Sequence, residues 1–180
     1  MYLQHQVFGE DDLYNGRPTI MSILEDGFLR RSKETKNYKM AGEEDKETHK
    51  YIYLQINLRK NESQRTFTLN MDLLLEQTFW LNIGWKGKKT DSSIRVNGTK
   101  LTKEELDTIM CEFRKTVKRN IKERKNNRPM GSLMTHEILL KKPIDLHRFL
   151  HRINCNKLDK DHVNYIKENY ENVELQVADE

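Results

Sequence analysis

Cysteine is scarce in this 180-residue chain: there are 2, Cys111 and Cys155. They show no Cys-x-x-Cys or Cys/His spacing, so neither a disulfide framework nor a zinc-binding pattern organises the fold. A reducing compartment, cytoplasmic or nuclear, is the expectation. Glycine is thin as well. The 8 glycines are scattered, and none forms a GxGxxG or Walker loop able to cradle phosphates. Apolar runs are short, and none approaches the roughly 20 residues of a membrane-spanning helix. The first residues, with Gln4, His5 and Glu10, do not read as a signal peptide. Charge of one sign is also lacking: 32 basic residues face 28 acidic ones, for a net +4. That total does not demand a nucleic-acid partner, so the distribution of charge matters more.

What is present suits a polar domain with a modest core. Hydrophobic residues are 36% and charged residues 33%, with mean hydropathy −0.89. The length fits one compact unit over residues 1–180. The start, MYLQHQVF, suits a first strand, and residues 10–18 read as a loop around Asn15-Gly16 and Pro18. Thr19 then caps a short helix carrying Ile20, Ile23 and Leu24, which Gly27 stops. Residues 30–50 are hydrophilic throughout and read as a mobile loop. Tyr51 to Leu58 is the clearest strand, with Ile52, Leu54, Ile56 and Leu58 on one side and Tyr51, Tyr53 and Gln55 on the other.

Further strands are expected at 66–69, 78–83 and 92–96, with a short helix over 72–75. Thr102-x-x-Glu105 is a capping box that opens one long helix. Leu106, Ile109, Met110, Phe113, Val117 and Ile121 make its apolar stripe. Glu137 to Leu140 reads as a strand, and Asp145 caps a helix running through Leu146, Phe149, Leu150 and Ile153. A helix near Val163 and an edge strand over 174–177 complete the chain. Short strands without regular βαβ alternation indicate an α+β fold.

Between Arg114 and Arg128 the long helix carries eight basic residues against the single acid Glu123. Arg114, Lys115, Lys118, Arg119, Lys122 and Lys125 are candidate phosphate contacts, because each such contact releases counterions from a nucleic acid. The same stripe suits an anionic membrane surface, or simply a solvated helix face.

The order of His5 on a first strand, the segment SILEDGFL, a strand with Tyr51 and Tyr53, and Glu137 opening HEILLKKPIDL carries a resemblance. It resembles the His-Tyr-Glu class of ADP-ribosyltransferases, which includes poly-ADP-ribose polymerases and diphtheria-type toxins, over most of residues 1–153. The resemblance implies two small antiparallel sheets enclosing a split cleft for NAD, with flanking helices. It implies transfer of ADP-ribose from NAD to a macromolecular acceptor, protein or nucleic acid. His5 would bind ribose, and Tyr53, with Tyr51 nearby, would stack nicotinamide. Glu137 would be the catalytic carboxylate, stabilising oxocarbenium charge as nicotinamide leaves. The chain departs from the family pattern at Gln6-Val7, where glycine usually follows the histidine. Thr135 stands where the arginine-modifying members carry an acid.

The alternative is a non-catalytic nucleic-acid- or protein-binding module that keeps this fold and uses the basic helix over 102–128. His147 and His151 are four apart, but no HExxH pattern or third ligand accompanies them, so no metal site is expected.

Overall fold

The computed structural model describes residues 1–6, 13–14, 17–31, 50–56, 66–84, 93–127, 135–155 and 158–177. In chain order the elements begin with β1 (Tyr2–Gln6), β2 (Leu13–Tyr14), β3 (Arg17–Pro18), α1 (Thr19–Asp26) and β4 (Phe28–Leu29). Then come β5 (Ile52–Ile56), β6 (Thr66–Asn70), β7 (Thr78–Gly84), β8 (Ile94–Asn97) and α2 (Lys103–Asn127). The chain continues through β9 (Thr135–Leu140), β10 (Ile144–Asp145), α3 (Leu146–Phe149), β11 (Leu150–Cys155), α4 (Lys160–Asn169) and β12 (Glu174–Val177). Short 3-10 turns cover Met71–Glu76 and Gly98–Lys100.

Eight of these strands form one sheet in the order β12-β11-β6-β1-β5-β9-β7-β8. All its pairings are antiparallel except β11 with β12, whose parallel run is allowed by the α4 crossover between them. Two small antiparallel pairs, β2–β3 and β4–β10, sit outside it.

The expectation of two small sheets around a split cleft is therefore corrected: the main sheet is single and mixed. The physical reason is β9, which is hydrogen-bonded on both sides. Ile138 pairs Leu54 of β5 and Leu81 of β7, and Leu140 pairs Ile52 and Phe79. A strand buried in this way joins what would otherwise be two sheets.

All the helices back the same face. Ile20, Met21 and Leu24 of α1, Leu106, Met110, Phe113 and Val117 of α2, and Ile166 of α4 join one cluster with Leu3, Leu54, Phe67 and Ile138. Each such side chain contributes roughly 1.5–3 kcal/mol by leaving water. Local chemistry sets the helix ends. The Thr102 amide donates to Glu105 Oε2 over 2.8 Å and the Glu105 amide to Thr102 Oγ1 over 3.2 Å, the reciprocal capping box. Gly27 stops α1 with φ 73, a left-handed value that glycine adopts freely. Asp145 and Asp159 cap α3 and α4 by accepting from the amides of His147 and His162.

The helix expected from Leu146 through Ile153 ends after one turn, and Leu150–Cys155 is a strand. Its apolar spacing suits a helix equally well. The segment instead fills the free edge of β6, pairing Ile153 with Phe67, with a register shift between Leu150 and Arg152. The loop expected over 10–18 contains the small β2–β3 pair. The expected mobile loop of 30–50 and the turn at 61–63 fall largely or wholly outside the described residues.

Candidate functional site

The strand registers decide which side chains meet. Gln4 pairs Gln55, Gln55 pairs Glu137, and Glu137 pairs Asn82. In the other direction Gln4 pairs Thr68, Thr68 pairs Arg152, and Arg152 pairs Glu174. Directly opposed residues share a face, so these seven form a polar row across the sheet, on the face away from the helices. Ser93, just before β8, extends it by donating from Oγ to Asn82 Oδ1 over 3.1 Å. Glu137 is 4% exposed and Asn82 is fully buried.

Tyr51 and Tyr53 belong to this same face by alternation along β5. Tyr51, Trp80 and Leu139 form a small cluster separate from the main core, with Tyr53 packed against it. The Tyr51 and Trp80 rings meet edge to face at 5.7 Å. Lys141 Nζ lies 5.6 Å from the Tyr51 ring centroid and 5.3 Å from that of Trp80, close enough for cation–π attraction.

His5 points the other way. It is two residues from the fully buried Leu3 and directly opposite the fully buried Phe67. Its side chain thus leaves the sheet on the helix-backed face. The β1–β5 ladder ends at Gln4–Gln55, and one residue on the His5 Nδ1–H donates to the Tyr53 main-chain carbonyl over 2.8 Å. Burial lowers the His5 pKa, outweighing that hydrogen bond, which acts to raise it. The structure thus brings Glu137 together with Tyr53 and Tyr51 on one face and sets His5 on the opposite one. Side chains so divided do not converge on one NAD molecule.

On α2 the basic residues lie as the apolar stripe requires. Leu106, Met110, Phe113 and Val117 are buried, and Lys115, Lys118, Arg119 and Lys122 are exposed on the opposite side. Arg114 is half-buried between the two. Lys115 pairs with Glu112 at 2.6 Å, which raises its pKa. The side chain of Lys125 and all of Arg128 lie outside the described residues.

The two histidines four apart are separated. His147 stacks on Tyr170 with ring centroids 4.6 Å apart, and His151 stacks on Tyr2 at 4.2 Å. Among the described residues, no group of three or more His, Cys, Asp or Glu side chains could hold a metal ion. No described helix is long and apolar enough to cross a membrane. Sequence reasoning missed the polar row, because Gln4, Gln55, Thr68, Arg152 and Asn82 are unremarkable until the registers align them.

Fold and surface thus define an α+β protein with one helix-backed mixed sheet, a polar outer face and a basic helix. The chain belongs to the family described as Family of unknown function (DUF5846), whose model matches residues 1–119. No curated protein and no solved structure matches it.

Proposed function

We propose that this protein binds nucleic acid through the basic outward side of α2. The observation that carries the reading is the exposure of Lys115, Lys118, Arg119 and Lys122 at spacings of three and four, opposite the buried stripe. Such spacing sets all four on one side of a helix. The helix dipole favours cations only within the last turn. Lys115 to Lys122 precede the final turn that ends at Asn127, so stabilising the helix terminus does not account for them. Glu104, Glu105 and Asp107 at the start of α2 repel a phosphate backbone and confine it to the second half.

The test is fluorescence anisotropy with labelled duplex and single-stranded oligonucleotides across salt. Four phosphate contacts give a slope of log affinity against log salt of about −3 to −4 on duplex DNA. Lys118→Glu with Arg119→Glu lowers affinity roughly tenfold or more at low salt. Unchanged binding in that variant overturns the reading.

ADP-ribose transfer from NAD rests here on Glu137 and Tyr53 alone, buried and half-buried on one face, and takes second place. It needs a ribose contact other than His5. Thermal stabilisation by millimolar NAD that disappears in Glu137→Gln would support it. No stabilisation by NAD would remove it.

A further inference from the structure

We infer that the same helix is a self-association surface whose occupant is a second copy of this chain, lying antiparallel along α2. The outward crest of the helix reads Glu104, Asp107, Thr108, Cys111, Lys115, Lys118, Arg119 and Lys122, all exposed. Its charge is ordered: acidic at the start, neutral at Thr108 and Cys111, and basic from Lys115 onward, with the exposed Glu112 at the margin of the crest paired to Lys115. Asp107, Lys118, Arg119 and Lys122 make no ion pair with any described residue.

A twofold axis at the level of Phe113 matches this order to itself. Glu104 then faces the second copy's Lys122, Asp107 its Arg119, Thr108 its Lys118, and Cys111 its Lys115. Each contact occurs twice, as an isologous interface requires. A parallel pairing would instead set acid on acid and base on base. The antiparallel arrangement also opposes the two helix dipoles favourably. The contact runs about 27 Å along the helix from Glu104 to Lys122. It is made of charged side chains, so it is weak and falls with salt. Nucleic acid and the second copy compete for the same four cations, yet the dimer does not depend on the nucleic-acid reading.

The test is sedimentation velocity on the full chain, nuclease-treated, at about 20 mM and about 500 mM salt. A concentration-dependent dimer is expected at low salt and a monomer at high salt. Glu104→Lys with Asp107→Lys weakens the dimer at least about tenfold at low salt while keeping every cation for nucleic acid. Arg119→Glu with Lys122→Glu, the two cations that face Asp107 and Glu104, weakens it similarly, and the four substitutions together restore it. Cys111 lies two residues from the axis, so a short bismaleimide joins the two copies through Cys111 and not through the buried Cys155. A monomer at low salt and high concentration overturns the inference. So does a dimer that either pair of substitutions leaves intact, or one the fourfold exchange fails to restore.

Discussion

The Tyr170 hydroxyl donates to the main-chain carbonyl of Leu24 over 2.5 Å, across 146 positions of sequence. Leu24 lies in the last turn of α1, so a residue from the end of α4 satisfies a carbonyl near the C-terminus of the first helix. The same ring stacks on His147, whose imidazole sits against Gly27, the residue that stops α1. Three distant stretches therefore meet at one junction. Tyr170 and His147 lie outside the residues matched by the family model, while Leu24 and Gly27 lie inside them.

Tyr170→Phe should remove this hydrogen bond without opening a cavity. The expected loss is about 1 kcal/mol by urea denaturation. Burial pushes the Tyr170 pKa up to about 12, from 10.0. A raised pKa favours the protonated form in the folded state. That contribution is fully present below pH 10 and is lost as pH rises through about 12. Absorbance titration of the phenolates should show one tyrosine ionising late, and Tyr170→Phe should abolish that late step.

His5 behaves with the opposite sign. Burial depresses its pKa below 6.5, so the folded state prefers the neutral ring. Stability is then present above the unfolded value and lost as pH falls through the folded one. Urea midpoints measured from pH 7 downward should decline, and His5→Leu should flatten that decline. An equal decline in the variant would show that other groups carry the acid sensitivity.

Gly98 follows β8, and its amide donates to the Gln77 carbonyl over 3.2 Å. A Cβ at this position would stand 1.7 Å from the Leu74 carbonyl oxygen, which is backbone and cannot swing aside. Gly98→Ala should therefore cost about 3 kcal/mol, at the upper end of overpacking penalties. Chemical denaturation gives the value, and a loss below about 1 kcal/mol would mean that the 3-10 turn shifts freely.

Thr102→Ala breaks one half of the capping box that opens α2. The expected cost is about 1 kcal/mol, with fraying of the first turn visible as faster amide exchange at Lys103 to Leu106. The basic half of the helix lies far from this cap, so nucleic-acid affinity should stay the same.

Local features of the sequence were enough for most single elements. Alternation in Ile52-Tyr53-Leu54-Gln55-Ile56 marks β5, and the Thr102/Glu105 box with its apolar stripe marks α2, because both signals are complete within one segment. The segment from Leu146 to Ile153 could not be read this way. Its apolar spacing fits either a helix or a one-turn helix followed by a strand, and the open edge of β6 chose the latter. The candidate site was legible in part. The exposed cations of α2 follow from helical spacing alone, whereas the relation of His5 to Glu137 does not.

Sequence by itself determined the α+β character, the caps, the long basic helix and the alternation that gives each strand two faces. Tertiary structure alone decided that β9 joins the strands into one sheet, and that Gln4, Gln55, Glu137 and Asn82 align across it. It also decided that His5 and Glu137 leave that sheet on opposite sides. The reason is that strand alternation is a local property, while register between strands is fixed by pairings far apart in the chain. A shift of one residue in any of those pairings would exchange the two faces.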